Sequence, residues 1–494
     1  MSIESGKALS WSFVMNISSL GINAGLMFVL AAILGPENFG IVAISSIFLF
    51  FLQILGGQFF IAVLIQRDVL EEEHIDTVFW LSSCWCVLMA CLAALLADFW
   101  AGVNRTPEVA PVIMALAPLV LIKGLAIAPR GLLLRKLDFK HTTIAVVISS
   151  LCGGIGGIYF GLSGYGVWAL VIQQWILEIV LLSLVWFFSR FRPHFRFSKR
   201  HLIDVLPFAR GAFLNELGGF AQSRSEAILL GILFGPVLIA LYRISDRMVQ
   251  IITSILSRSI ASFLLPFASR HQNDEVKLKQ IIEQCVRLST ALSFPVLGVL
   301  AGNAPLVLEI LGSEWAVAWI GLMLLCVVGA LQSFSLLTPH LLQAIGRPGV
   351  GAAVTWGTAA TSVCSFVVVA YYVQSESVQF QLAAVSGARA LVFLLINVPV
   401  NLFVIIWAVG FKASFLGRLL LGPLMSFVVG AGSGYALAHN FVPLEWHWII
   451  RFILSVGGSG VLAIATLLII DIKVRDVAIR NLKHFKHRFF TRIS

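Results

Sequence analysis

Charge is what this chain is shortest of. Only 12% of its 494 residues are Asp, Glu, Lys or Arg, against 59% hydrophobic residues, a balance that excludes an ordinary soluble globular domain. A removable leader is missing too: MSIESGKALSWSF has one lysine and no small-residue cleavage site before a full-length apolar run, so this segment is expected to stay in the mature chain. The seven cysteines, Cys84, Cys86, Cys91, Cys152, Cys285, Cys326 and Cys364, lie almost all in apolar runs without metal-type pairing, and core packing accounts for them. No Ser, Cys, His or metal constellation of catalytic spacing stands out, so no catalytic residue, metal site or organic cofactor is expected.

What is abundant is apolar sequence in lengths of about twenty residues, enough to cross about 30 Å of hydrocarbon at about 1.5 Å per residue. The runs fall at 11–34, 41–64, 77–97, 111–129, 142–162, 167–188, 207–234, 237–266, 288–308, 316–337, 351–373, 387–409, 416–438 and 449–470. The expected fold class is therefore an all-α polytopic membrane protein with about 14 transmembrane helices, referred to below as spans 1 to 14. With the N-terminus in the cytoplasm, 25 of the 34 lysines and arginines fall on cytoplasmic segments, while the opposite loops hold only Arg105 and, at a helix edge, Arg451. That alternation obeys the positive-inside rule and puts both termini in the cytoplasm. The net charge of +10 is then explained by topology and anionic headgroups, and no nucleic-acid partner is expected. The basic tail NLKHFKHRFFTRIS reads as a surface anchor.

Seven basic residues remain inside the spans, Lys123, Arg210, Arg224, Arg243, Arg247, Arg258 and Arg389, with four carboxylates, Glu178, Glu216, Glu226 and Asp246. A charge at the bilayer centre costs about 2.5 to 3.5 kcal/mol even on the lenient insertion scale, so these groups must face protein or water. Span 8, YRISDRMVQIITSILSR, carries four of them. At about 100° per residue, taking Arg243 as zero, Asp246 falls near 300°, Arg247 near 40°, Gln250 near 340° and Arg258 near 60°. Ser254 and Ser257 share that sector, and Ile244, Met248, Ile251, Ile252, Ile255 and Leu256 form the apolar back. Such a stripe suits a cavity lining. Asn215, Gln222 and Glu226 share one face of span 7, with Arg224 turned away from it. Internal salt bridges that fix packing, or snorkelling near helix ends, are the competing reading of these charges, most of all for Arg210 and Arg389. Lys123 on span 4 and Glu178 on span 6 are the mid-depth charges of the first half and fit a structural pair as well as a functional one.

Repetition constrains the architecture. AAILGPENFGIVA at 31–43 is echoed by GILFGPVLIALYR at 231–243, so that Gly35 and Pro36 correspond to Gly235 and Pro236. PRGLLLRKLDF after span 4 has a looser echo in PHLLQAIGRPG after span 10, and Asn16 aligns approximately with Asn215. Two six-helix halves result, 1–200 and 201–410, with two further helices in 411–472 and a basic tail at 473–494. Parallel repeats of this kind are a transporter device. Pro111, Pro118 and Pro129 in span 4 and Pro295 and Pro305 around span 9 offer bending points, and the glycines of span 5 suit close helix packing.

LGPENFGIVA, LIQRDVLEEEHIDTVFWL, LLLRKLDFK, GLSGYGVWALVIQQ, the span 7–8 hairpin ending in LLPFASRHQND, LGSEW and LLQAIGRP, in order over about residues 10 to 410, resemble the polysaccharide transporter branch of the MOP superfamily. These are the Wzx-like flippases, distant relatives of MATE exporters and of the lipid II flippase. The resemblance implies two pseudo-symmetric six-helix bundles, V-shaped around a central cationic cavity, in a bacterial inner membrane. It implies a polyprenyl pyrophosphate carrying an oligosaccharide repeat unit as substrate, moved from the cytoplasmic to the outer leaflet for exopolysaccharide, capsule or lipopolysaccharide assembly. Membrane lipids and polysaccharide polymerase or export machinery are the partners that go with such a role.

Residue chemistry fits that implication. Arginine offers bidentate donors that stay charged, so Arg224, Arg243, Arg247 and Arg258, with Lys123, are the candidate contacts for an anionic head group, and Gln173, Gln174, Asn215, Gln222 and Gln250 for sugar hydroxyls. Asp246, Glu226 and Glu178 are the candidate ion-coupling sites if protons or sodium drive the cycle. A MATE-type exporter of small molecules is the alternative; such exporters typically handle cations through an acidic site in the first bundle, and span 1 has no carboxylate. A membrane glycan polymerase or ligase would be expected to present catalytic residues on a sizeable outer loop, whereas the longest outer connections, about 98–110 and 374–386, are short and poor in His, Arg and Asp.

Overall fold

The structure is a computed structural model that describes residues 3–57, 60–61, 64, 71–136, 138–196, 198, 213–214, 216–217, 220, 224–258, 260, 264, 268, 274–411, 413–441 and 448–476, with side chains from Leu20 onward except at 258, 348, 413, 415–416, 440–441 and 448. Among the described residues the regular secondary structure is helical. Eleven helical stretches are long and apolar enough to cross a membrane: Leu20–Leu55, Glu72–Leu95, Val109–Arg135, Phe139–Leu162, Val167–Ser189, Glu275–Gly302, Trp319–Ala344, Gly349–Val373, Val378–Val409, Gly417–His439 and Ile449–Ile470. The chain is thus an all-helical, multi-pass membrane protein. Ten of the stretches lie on spans 3 to 6 and 9 to 14, and the first covers most of spans 1 and 2; spans 7 and 8 fall partly outside the described residues. Leu162, Phe187, Tyr371, Phe403, Val461 and Ile469 are exposed, as side chains facing acyl chains would be.

The helices gather into two compact units, residues 1–240 and 241–494. In the first, Ile3–Leu55 is one run of helix interrupted at Gly35, whose φ of 74° opens the backbone where the sequence repeat begins. A left-handed φ is open to glycine without a Cβ clash, and Pro36, with no amide hydrogen to lose, restarts the helix. Asn38 donates its Nδ2 to the Leu34 carbonyl at 2.7 Å, satisfying an acceptor that the break releases. Gly235 also has a positive φ, 82°, ahead of Pro236, so both Gly-Pro echoes place glycine in the left-handed region. They also meet, since a Cβ on Gly40 would lie 1.9 Å from the Pro236 carbonyl oxygen.

Close packing rests on small residues, because lipid tails are as apolar as leucine and give helices no hydrophobic reason to associate. In the first unit the span 5 glycines serve this purpose: Gly153 and Gly157 lie against Leu177 and Gln173 of span 6, and Gly154 against Leu26 of span 1. In the second unit Gly298 and Gly302 of span 9 press on the backbone of Phe427 and Ala431 in span 13. Asn303, Ser455 and Ser459 tie span 14 into the same seam by buried hydrogen bonds. Near the other end of span 9, Arg287 is held by Glu283 at 3.1 Å and by Asp471, and Lys473 reaches Glu283 at 2.6 Å.

A methyl group at Gly302 would stand 2.3 Å from the Ala431 carbonyl oxygen, whereas one at Gly432 meets nothing within 4 Å. Gly302→Ala is expected to destabilise the protein by about 1 to 3 kcal/mol through overpacking, and Gly432→Ala to leave it unchanged. Size-exclusion profiles of detergent-solubilised protein after graded heating measure the difference.

Candidate functional site

The interior charges are organised differently in the two units. In the first unit Lys123 of span 4 donates from Nζ to Glu178 Oε1 of span 6 at 3.1 Å and to Gln53 Oε1 of span 2 at 3.2 Å. Glu178 and Gln53 are buried and Lys123 is partly open, its side chain 26% exposed. Three helices thus converge on one ammonium group. Lys123 and Glu178, which the sequence fits to a structural pair as well as to a functional role, are in direct contact, and Gln53, an isolated amide in the run FLFFLQIL, joins them. Arg224 of span 7 lies in the same unit with its guanidinium over the Phe50 ring, 5.3 Å from the centroid. Phe50 stacks on Phe220 at 6.0 Å, and Phe220 touches Phe51 at 5.3 Å. The arginine therefore rests on an aromatic shelf, a contact that orients a guanidinium without consuming its donors. Glu226 is half-buried two residues further on. Gln173 and Gln174 are also half-buried, with the stem of Gln173 against Gly157.

In the second unit the charged stripe of span 8 has the expected polarity over its first part. Tyr242, Ile244, Met248 and Val249 are buried, whereas Arg243, Asp246, Arg247 and Gln250 are half-buried on the more open side of the helix. Asp246 pairs with Arg389 of span 12, Nη1 to Oδ1 at 3.3 Å, and Arg389 also donates to the Tyr242 hydroxyl. Its guanidinium sits 6.0 Å from the centroids of both Tyr242 and Phe393. Gln250 donates to Gln332 of span 10 at 3.4 Å. The sequence reading left Arg389 to packing and did not single out Tyr242 or Gln332. A polar side chain at mid-length of an otherwise apolar span was the available signal for both Gln332 and Gln53.

The stripe does not continue as projected. From Ser254 to Arg258 the helix adopts a π turn, in which bonding from i to i+5 lowers the rotation per residue below 100°. The angle expected for Arg258 therefore does not carry past Thr253. Ser257, expected on the polar face, is fully buried and bonded to Ser293 of span 9 at 2.8 Å, while Ile255, expected on the apolar back, is 47% exposed. The Arg258 side chain, Arg210, Asn215 and Gln222 lie outside the described residues.

The two buried pairs share a register. Glu178 and Arg389 stand at the same distance from the first residue of their helices, Val167 and Val378. Span 6 thus carries a buried acidic residue and span 12 a buried basic one, and each is neutralised from a different helix of its own unit. Among the described residues no cluster of three or more His, Cys, Asp or Glu side chains is placed to hold a metal ion.

The fold is similar to those of two solved transporters. Over 95% of the chain it superimposes on 99% of a lipid II flippase MurJ structure in an inward closed conformation, with a TM-score of 0.69 at 13% identity. Over 78% of the chain it matches 94% of a multidrug-resistance MATE transporter of the MOP superfamily, with a TM-score of 0.61 at 14% identity. The chain belongs to the family described as "Polysaccharide biosynthesis protein", whose model matches residues 29–319, more than half of its length. Similar proteins include the succinoglycan biosynthesis transport protein ExoT of Rhizobium meliloti, 26% identical over 74% of this chain and 73% of that one. The lipopolysaccharide biosynthesis protein WzxC of Escherichia coli is 23% identical over 68% of this chain and 69% of its own length. A probable low-salt glycan biosynthesis flippase, Agl15 of Haloferax volcanii, is 24% identical over 40% of this chain and 43% of its own length.

Removing one partner of a buried ion pair costs more than removing both, because the survivor keeps its charge without compensation. Glu178→Ala is expected to lower stability by about 1 to 3 kcal/mol, and Lys123→Ala combined with Glu178→Ala to recover part of the loss. A double-mutant cycle on apparent melting temperature in detergent checks this, and strict additivity would mean that the pair is not coupled.

Proposed function

We propose that this protein is a flippase for a polyprenyl-pyrophosphate-linked oligosaccharide repeat unit, carrying it from the cytoplasmic to the outer leaflet of a bacterial inner membrane for exopolysaccharide, capsule or lipopolysaccharide assembly. The carrying observation is an excess of interior cations over interior carboxylates, seven against four, in a member of the polysaccharide biosynthesis family. A pyrophosphate needs neutralising at mid-membrane, and arginine supplies planar, permanently charged donors for it. Arg224, Arg243, Arg247 and Arg258 are the proposed head-group contacts, with Lys123 contributing charge from span 4. Gln173, Gln174, Asn215, Gln222 and Gln250 are the proposed contacts for sugar hydroxyls, and the prenyl chain stays in lipid.

In this reading the repeats, 1–200 and 201–410, rock against each other, and both termini lie in the cytoplasm. The arginines draw the head group from the inner leaflet and release it when the lobes reopen outward. Asp246, Glu226 and Glu178 are the proposed coupling groups, since proton or sodium binding at Asp246 or Glu178 would weaken its hold on Arg389 or Lys123. No bond of the substrate is made or broken, so the protein acts as a transporter and not as an enzyme, and polymerase or export proteins take over the product. The MATE-like fold is shared with exporters of small molecules, but the net basic interior disfavours their typically cationic cargo.

Deletion of the gene in its host is expected to leave lipid-linked oligosaccharide on the cytoplasmic leaflet, with rescue by wild type and at least tenfold weaker rescue by Arg224→Ala or Arg247→Ala. Unchanged surface polysaccharide with no accumulated intermediate would contradict the proposal.

A further inference from the structure

The segment that leaves span 6 has a built geometry that transport through the interior does not use. Residues 190–196, RFRPHFR, form no helix, yet span 3 fastens them at several points. The His194 amide donates to Asp76 Oδ1 at 3.1 Å, and its carbonyl accepts from Trp80 Nε1 at 2.9 Å. The Ser198 amide donates to Thr77 Oγ1 at 3.3 Å, and Arg196 pairs with Glu72 at 3.4 Å. Asp76 is buried, at 2% exposure, and its second oxygen faces His194 Nδ1 at 3.7 Å. Phe191 plugs inward against Phe79 and Trp186. A buried carboxylate spent on the backbone of an irregular segment fixes that segment's path, because a carboxylate left without partners there would be costly.

What the strap displays outward is aromatic and basic. Arg190, Arg192, His194, Phe195 and Arg196 are exposed, and Phe195, at 92% exposure, stacks on Trp80 with centroids 4.6 Å apart. Trp80 lies eight residues after the first residue of the helix Glu72–Leu95, about 12 Å along its axis. The Phe195 ring is therefore held beside the second and third turns of a helix long and apolar enough to span a membrane, near that helix's end. Aromatic rings are favoured near the ends of spanning helices, where headgroups meet acyl chains, and neighbouring arginines there are attracted to an anionic surface. Glu72 engages Arg196, while Arg190 and Arg192 extend from the strap's other end, next to span 6.

We propose that residues 190–196 are an interfacial anchor for anionic phospholipid, clamped by Asp76 and Trp80, which ties the inner end of span 6 and the start of the connection to span 7 to the bilayer surface. The occupant is the lipid surface itself: Phe195 inserts among the acyl chains, and Arg190 and Arg192 take the headgroup phosphates.

The test is the number and class of lipids retained by full-length protein in native mass spectrometry after equilibration with an equimolar mixture of phosphatidylglycerol and phosphatidylcholine. Wild type is expected to prefer phosphatidylglycerol. Arg190→Asn with Arg192→Gln, with asparagine chosen because residue 190 has a left-handed φ of 52°, is expected to cut that preference at least twofold, and Phe195→Ser to lower total retention. Asp76→Asn, which keeps every arginine but loosens the clamp, should also reduce the preference, and Lys277→Gln with Lys279→Gln in the other unit should not. An unchanged preference in the Arg190/Arg192 variant, or an equal loss in the Lys277/Lys279 control, would overturn the proposal. Loss of phosphatidylglycerol from wild type on adding millimolar inorganic pyrophosphate would overturn it too, by making the patch a diphosphate site.

Discussion

A charge inside the thickness of a membrane has to be solvated by protein, and much of this architecture follows from that requirement. Lys123 is met by Glu178 and Gln53, and Arg389 by Asp246 and Tyr242. Each group draws on more than one helix, so the ion pairs act also as distance constraints between spans. Glu178 and Arg389 stand equally far from the first residues of their helices, with opposite charge. Within the expected spans the sequence counts seven cations against four carboxylates, the excess on which the proposed function rests. A net positive interior is the electrostatic condition for carrying an anion across hydrocarbon.

Around those pairs the helices are held by contacts between small residues and backbone. The seam of Gly298 and Gly302 against span 13 and that of Gly153 and Gly157 against span 6 bring helices to near contact distance. The same economy appears at the Gly-Pro turns, where a left-handed glycine and a proline end one helix and begin the next within a single residue step. Rigid seams of this kind allow a unit to keep its internal geometry while a cycle of transport proceeds. Fixed charge positions are useful to a carrier only under that condition.

The sequence made the spans legible because hydrocarbon thickness dictates a length, and it made the breaks at Gly35 and Gly235 legible because few residue types tolerate a positive φ. The charged stripe of span 8 was readable as far as Thr253, where regular helical rotation holds. Beyond it the π turn redirects Ser257 into the packing with Ser293 and sends Ile255 outward, and no 100° projection anticipates a local change of helix type. Lys123 and Glu178 could be paired from depth alone. Arg389 and Asp246 could not, since their meeting depends on which helices become neighbours. Gln53 and Tyr242 were hidden by the apolar runs around them, although an amide or a hydroxyl in such a run needs a partner as surely as a charge does.

The most direct test of the central claim is a reconstituted one. Purified protein in liposomes would be supplied with a fluorescent polyprenyl-pyrophosphate oligosaccharide in the outer leaflet, and its protection from a membrane-impermeant quencher followed with time. The account predicts transfer that requires the protein, slowed at least tenfold by Arg247→Ala, with vesicle integrity unchanged. Absence of transfer by the wild type, together with uptake of an organic cation by the same vesicles, would contradict it.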